Sequence, residues 1–330
     1  MSLLYDRKYT LTIGQPKDII YTGEDITVDL LKIDATTRNE FVSDYRFDLL
    51  KAVEITDLQI EVDIQGNTTT GNQAGCIIKV YNLSDQTRAL IEDINNYVTL
   101  NAGYAQDSEL ALIFSGQVFD FFTEKQGVDM VTTLKCKDGY TPNNSIRISR
   151  KFIKGENYAQ VLTYLAEVFE VNGIPTGQLE LLDVGVARQT YIQLRSPEET
   201  VLRRGYSATG FLRQIMDNVC NSLGYVWYIT NGRLFCHPKG YTKTVELYEF
   251  NTDQLLSVRR KGTQSGATST GKGDEGIKVV TFLDGRLDTD KRIRILNGEF
   301  KGDYKVITKS HSLNYRNGQW TTTIDCKKVD

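Results

Sequence analysis

The chain has 330 residues, 40% of them apolar and 25% charged, with a formal net charge of −3 and a pI near 5.7. That composition belongs to a globular protein long enough for two or more domains. The charge argues against a protein that grips nucleic acid, which usually shows a basic face, though not against a surface past which DNA slides without being held. The five cysteines are odd in number, widely spaced and without a C-x-x-C pair, so they read as reduced, buried thiols of a cytosolic product. No run approaches the roughly 18 apolar residues of a membrane span. The start, MSLLYDRKYTLTIG, lacks the basic-then-apolar pattern of a secretory signal. Synthesis in a cytosol, with exit by cell lysis, is the expectation.

In chain order, Arg7 to Gly14 and Asp25 to Ile33 carry Thr, Val and Ile in weak alternation and predict strands. Ala35 to Asp44 is polar and predicts a loop. The clearest strand follows: Leu58, Ile60, Val62 and Ile64 point one way, Asp57, Gln59, Glu61 and Asp63 the other. One face is buried and one is wet and acidic. Such an acidic face is usually plain solvation; the sharper reading is a surface to which a polyanion does not stick. Gly66 to Gly75 is a polar loop and Cys76 to Asn82 a strand. Ser84 caps a short helix carrying Leu90, Ile91 and Ile94. Tyr97 to Tyr104 and Leu110 to Gly116 are strands again.

The middle has a different texture. Tyr158 to Val171 is an amphipathic helix with Val161, Leu162, Leu165, Ala166 and Phe169 on one side. A second helix is predicted from about Ala208 to Leu223, with Ser207 as its cap and Gly224 as its stop. Tyr225 to Thr230, Asn231-Gly232 and Arg233 to His237 form a hairpin, because Asn-Gly suits the two positive-φ positions of a type I′ turn. Thr244 to Tyr248 and Leu255 to Arg260 are strands. Residues 262–276, GTQSGATSTGKGDEG, read as a Gly/Ser/Thr loop. From Ile277 the chain is strand to its end, with turns near Asp284-Gly285, Asn297-Gly298 and Asn317-Gly318.

Two distant stretches echo each other. Gly116 to Lys137 and Gly302 to Lys327 each read as strand, turn and returning strand. In the first return, Met130, Thr132, Leu134 and Cys136 share a face; in the second, Trp320, Thr322, Ile324 and Cys326 do. Exposed strand faces favour Thr and Lys anyway, so this match alone leaves duplication and coincidence both open.

Candidate chemistry is thin. Gly266 to Lys272 fits G-x-x-x-x-G-K, and Gly271, Gly273 and Gly276 spell G-x-G-x-x-G. Both motifs need a following helix, and Ile277 to Phe282 predicts a strand. Asp284, Asp288 and Asp290 cluster in DGRLDTD without the spacing of a calcium loop. Cys220, Cys236 and His237 lack flanking zinc spacing, and neighbours on a strand face opposite ways. His311 reads as a strand residue, and Glu198-Glu199 as a helix first turn or loop. The expectation is no enzyme, no cofactor and no metal.

The order of elements is more telling. ITDLQIEVDI is followed by IIKVYNLSDQTRALI, VTLNAGYAQDSELALIFSGQVFDF and TTLKCKDGY, then two helices with LGYVWYITNGRLF, and finally DYKVITKSHSLNYRNGQWTTTIDC. Nearly the whole chain thereby resembles the baseplate hub proteins of long-tailed bacteriophages, especially contractile-tailed ones. Its most specific pieces are the Tyr81-Asn82-Leu83-Ser84 turn, the Asn101-Ala102-Gly103-Tyr104 corner with Ser115-Gly116, and the terminal hairpin. The resemblance implies a mainly β fold with α+β insertions: two tail-tube-like antiparallel β-barrels with small α/β elements between them. The first barrel would occupy residues 1–149, the insertion 150–240 and the second barrel 241–330. The resemblance further implies a homotrimer in the virion tail baseplate, assembled in the host bacterial cytoplasm. It would adapt the sixfold tail tube protein to a threefold central spike protein among other baseplate proteins. Its channel would pass DNA and the tape measure without specific binding. Asp57, Glu61 and Asp63 are then expected to face the channel. Thr132, Leu134 and Cys136 are expected at barrel positions equivalent to Thr322, Ile324 and Cys326. The chain's end at Asp330 is read as leaving the spike to a separate protein. The other reading is a receptor- or glycan-binding β-protein of the tail tip, for which surface Tyr, Trp and Asn would serve.

Overall fold

The computed structural model describes residues 6–14, 52–66, 74–92, 96–140, 144–172, 174, 176–179, 200–239, 247–261 and 276–329. The strand expected at Asp25–Ile33, the loop at Ala35–Asp44, the Glu198-Glu199 pair and the Gly266–Lys272 motif lie outside the described residues. The first lobe contains β1 (Arg7–Gly14), β2 (Ala52–Ile55), β3 (Ile60–Gln65), β4 (Gly75–Tyr81), α1 (Asp85–Ile91), β5 (Tyr97–Tyr104), β6 (Ala111–Gln126) and β7 (Asp129–Lys137). A middle unit follows with β8 (Arg147–Phe152), α2 (Tyr158–Val171), β9 (Thr176–Leu179), β10 (Tyr206–Phe211), α3 (Leu212–Leu223), β11 (Tyr225–Thr230) and β12 (Arg233–Pro238). The last lobe has β13 (Leu247–Phe250), β14 (Ser257–Lys261), β15 (Gly276–Phe282), β16 (Arg292–Ile295), β17 (Gly302–Asn314) and β18 (Trp320–Lys328).

Local sequence explains most of these elements. In β3, Ile60, Val62 and Ile64 are buried, Glu61 is half-buried and Asp63 exposed, as period-two alternation requires. The Ser84 side chain accepts from the Thr87 N–H and caps α1. Asn157 and Gln160 form a reciprocal capping box at the start of α2. Asn231 and Gly232 both have positive φ in the turn between β11 and β12. The second helix is shorter than expected. Tyr206–Phe211 instead pairs with Arg147–Phe152 as a two-stranded ribbon, so Ser207 is a strand residue whose hydroxyl meets Thr209. Helix α3 starts at Leu212 with no side-chain cap. The ladder satisfies those backbone groups better than a first helical turn would.

Thirteen strands form one sheet in the order β14-β15-β18-β17-β3-β4-β7-β6-β5-β1-β2, with β16 on β17 and β13 on β16. All its pairings are antiparallel except β13 with β16. The sheet wraps two hydrophobic cores. One gathers Leu11, Ile60, Ile78, Leu100, Phe114 and Leu134; the other gathers Val279, Ile293, Ile295, Val306 and Ile324. The helices enclose a third core with Leu162, Leu165, Met216 and Trp227. Two closed barrels were the expectation. Among the described residues no strand pairing closes either lobe. Instead β17 of the last lobe gives its outer edge to β3 of the first, through Ser310↔Gln65 to Asn314↔Glu61. What the fold has is one large, mainly antiparallel sheet bent around two cores.

The bends lie in two long strands. β6 pairs with β5 through Ala102↔Ala111 to Tyr97↔Gln117, then continues along β7 to Gln126. β17 keeps β18 from Tyr304 to Leu313 and, on its other edge, exchanges β16 for β3. Each strand carries a bulge just beyond the point where it leaves its first neighbour, which adds twist and turns the sheet. The middle unit is tied down by carboxylates. Asp138 accepts from the Gly232 N–H with both oxygens at 3.0 Å. Truncating Leu134 or Ile324 to Ala removes a fully buried side chain from one core each. Each substitution is expected to cost about 2–5 kcal/mol, measured by urea unfolding.

Candidate functional site: an open sheet face and two unpaired edges

The echo between distant hairpins extends to four strands. Gln65 opposes Gly75 between β3 and β4, and Lys261 opposes Gly276 between β14 and β15. Gly75, Cys76 and Val80 oppose Lys137, Cys136 and Thr132; Gly276, Ile277 and Thr281 oppose Lys327, Cys326 and Thr322. The bulges coincide too. Cys136 opposes Val118, and the register then shifts so that Lys135 opposes Asp120. Cys326 opposes Val306, and the register then shifts so that Asp325 opposes Thr308. The units β3-β4-β7-β6 and β14-β15-β18-β17 therefore have the same order, directions and register. Thr132, Leu134 and Cys136 occupy the same register positions as Thr322, Ile324 and Cys326, and all six are buried. Burial pushes the Cys136 and Cys326 thiols well above their ordinary range, which keeps them protonated and unreactive.

These eight strands share an open face. Glu61 and Asp63 project from it, opposite Asn314 and Ser312 on β17 and Lys79 and Ile77 on β4. These six side chains help line a shallow depression of about 340 Å³. Asp57 is exposed but lies in the bend ahead of β3, off the strand. The face carries both signs rather than a uniformly acidic surface. Lys79 lies 3.8 Å from Glu61, Lys135 2.8 Å from Asp120 and Lys261 2.6 Å from Asp325. Neighbouring carboxylates offset these cations, which a single-strand pattern could not reveal because the partners come from other strands.

Among the described residues, the eight-strand array ends in two unpaired edges. Beyond its bulge, β6 pairs only with β7 among the described residues, and its outer residues Phe122–Gln126 are exposed. At the opposite end β14 pairs only with β15 among the described residues, and Ser257, Arg259, Arg260 and Lys261 are exposed.

The residues singled out for chemistry have structural partners. Asp284 is paired with Arg286 at 2.8 Å and Asp288 with Lys309 at 2.8 Å. Asp290 accepts from Tyr228 Oη at 2.8 Å and Lys305 Nζ at 2.7 Å, and its Oδ2 lies 2.8 Å from His237 Nε2. Burial works against its charge, but His237 and Lys305 outweigh burial and hold the carboxyl down to about 2. This cluster fastens the β11–β12 hairpin to the last lobe. The Asp-rich turn marked one member; Tyr228 and Lys305 gave no signal, since only folding brings them there. Cys220 and Cys236 sulfurs are 3.7 Å apart, on the other side of β12 from His237. His311 is buried in the seam between β18 and β3, its Nδ1 3.0 Å from Thr322 Oγ1. Burial and then the Lys309 charge lower it to about 3. Among the described residues, no group of three His, Cys, Asp or Glu side chains could hold a metal ion. Nor is any described helix long and apolar enough to cross a membrane.

No protein-family model matches the sequence, and no curated protein matches it. Solved structures do match. A tail protein from Neisseria meningitidis MC58 aligns with TM-score 0.56 and 10% identity over 84% of this chain and 94% of its own. The chain has the fold of a phage-type tail protein. The 43 kDa tail protein of prophage MuSo2 from Shewanella oneidensis gives TM-score 0.55 and 10% identity, over 83% of this chain and 95% of its own. The E. coli c3393 protein gives 0.51 and 9% identity, over 82% and 74%. It is described as a type VI secretion component structurally similar to T4 bacteriophage tail proteins gp27 and gp5. This baseplate-hub-like fold agrees with the resemblance read from the order of elements.

Acid should destabilise the fold in two stages, first at the seam and then where the β11–β12 hairpin meets the last lobe. An unfolded imidazole takes up a proton below about 6.5, whereas buried His311 stays neutral to about 3. The unfolded chain therefore binds more protons in that window, and stability falls as pH drops through it. Asp290 stabilises the fold fully above its unfolded value of 3.8 and loses that contribution as pH falls to about 2. Urea midpoints should decline from pH 7 to pH 4. His311→Gln should flatten that decline, and Asp290→Asn should instead remove the loss below pH 4.

Proposed function

We propose that the chain is a structural hub of a phage-type tail: a homotrimer whose eight-strand arrays join into a ring. The ring adapts a sixfold tail tube to a threefold spike, and its open face lines a channel for DNA and the tape measure. The observation that carries this reading is the four-strand unit present twice in one register. Two like units per chain give six around a threefold axis, which is what an adapter between sixfold and threefold neighbours needs. The division into residues 1–149, 150–240 and 241–330 follows from it: each tube-like lobe contributes one unit, and the middle segment braces them.

The dimensions suit a conduit. Three copies of eight strands make 24; at about 4.8 Å per strand and a tilt near 40°, the ring would measure roughly 45–50 Å between backbones. That leaves room for a duplex after side chains fill the rim. Glu61 and Asp63 would face the channel, with Asp57 at its mouth. Paired lysines give a passing phosphate little to bind, because counterion release needs unneutralised cations. The buried groups do not favour catalysis: burial keeps the Cys136 and Cys326 thiols protonated, and His311 is neutral and sealed. The receptor- or glycan-binding reading is weaker, since both tryptophans are buried.

Native mass measurement of the purified protein should give about 112 kDa, three times 37.3 kDa. Co-expression with a candidate spike should add a trimer of that partner. A monomer at micromolar concentration would overturn the hub reading.

A further inference from the structure

The seam inside the chain is a ladder between two strand edges, and among the described residues both edges exist a second time without a partner. In the repeated units, β17 corresponds to β6 and β3 to β14. Matched through the bulges, Ser310 to Asn314 correspond to Phe122 to Gln126. Matched through β4 and β15, Glu61 to Gln65 correspond to Ser257 to Lys261.

The hydrogen-bonding phase agrees. At the seam, Gly66 N–H donates to Lys309 C=O at 2.9 Å and Tyr315 N–H to Ile60 C=O at 3.0 Å. The pairs between them alternate, so His311/Ile64 and Leu313/Val62 are the hydrogen-bonded ones. In β6, the two-residue turn after Gln126 directs Gln126, Glu124 and Phe122 toward β7. The backbone groups of Thr123 and Lys125 then point outward. In β3, Tyr81 N–H donates to Gln59 C=O, which turns the odd-numbered residues toward β4. The matching residues of β14 leave Val258 and Arg260 pointing outward.

We propose that β6 of one copy pairs antiparallel with β14 of the next copy, in the register of the internal β17–β3 ladder. Phe122 then opposes Lys261, Thr123 opposes Arg260, Glu124 opposes Arg259, Lys125 opposes Val258 and Gln126 opposes Ser257. The closure of this head-to-tail pairing into a threefold ring rests on the hub reading. The register does not; it is copied from the seam. Charge supports it independently. Glu124, at the centre of one edge, meets Arg259, at the centre of the other. Phe122 meets the aliphatic stem of Lys261, and no like charges are opposed. A two-residue slip that puts Glu124 against Lys261 would set Lys125 against Arg260, which is unfavourable. Charged residues on an edge also serve to repel strands. Here the two edges carry opposite central charges, so they repel their own kind and accept each other.

The test uses paired cysteines. Glu124 and Arg259 would form a non-hydrogen-bonded pair with Cα atoms about 4.5 Å apart, within disulfide reach. The five native thiols are all buried. Mild oxidation of the full-length Glu124→Cys/Arg259→Cys protein should give a covalent trimer on a non-reducing gel. Glu124→Cys/Ser257→Cys, two residues out of register, should not. Separately, Glu124→Arg or Arg259→Glu alone should weaken self-association by roughly tenfold, and the double reversal should restore it. A native mass of three chains without the Glu124–Arg259 cross-link, or with the Ser257 pair cross-linking better, would overturn the register and leave the hub reading intact. A monomeric wild-type protein would overturn both.

Discussion

The β17–β3 ladder is the contact on which the arrangement depends. A sheet edge is a row of unmet hydrogen-bonding groups, and each lobe, taken alone, would present two. Joining the right-hand edge of one unit to the left-hand edge of the other satisfies one of each. The join also fixes the relative orientation of two cores that otherwise share few side chains. Leu313 and Trp320 belong to the last lobe in sequence but are buried in the first lobe's core. Trp320 Nε1 donates to Gly103 C=O at 3.2 Å, and Leu283 N–H donates to Tyr104 Oη at 3.2 Å. The seam is thus a ladder reinforced by packing, and its direction leaves unlike edges at the two ends of the chain.

The long strands make this possible. β6 and β17 each serve two sets of neighbours, and a bulge at the same register position in each turns the strand between them. A bulge leaves one residue outside the ladder and tightens the local twist. Its recurrence opposite Cys136 and Cys326 means that both sheets bend at the same depth. The buried thiols sit at that bend as small, inert apolar groups.

The middle unit has its own core and meets the sheet through carboxylates. Asp138 receives the turn amide of Gly232, and Asp290 gathers Tyr228, His237 and Lys305. Such contacts stabilise only when every member has a partner, because a buried charge left unpaired is costly. They give orientation where apolar contact is sparse, so the insertion is held in one position against the lobes.

The sequence by itself determined the local elements. Alternation in Ile60–Ile64, the Ser84 and Asn157 caps, the Asn231-Gly232 turn and the α2 stripe are all signalled within a few residues. The alternation that puts Thr132, Leu134 and Cys136 on one face of their strand, and Thr322, Ile324 and Cys326 on one face of theirs, was legible too, since strand phase is written at every second position. The order of elements suggested a family that structural comparison then matched in fold. Other features needed partners that sequence does not name. Tyr206–Phe211 became a strand because Arg147–Phe152 lies beside it. The acidic face of β3 became a mixed one because Lys79 comes from the neighbouring strand and other strands bring further cations. The paired seam in place of two closed barrels, and the identity of the edges left unpaired among the described residues, follow from long-range pairing. Side-chain periodicity fixes which way a strand faces; only the tertiary structure decides which strand lies next to it, because that depends on the closure of chain segments hundreds of residues apart.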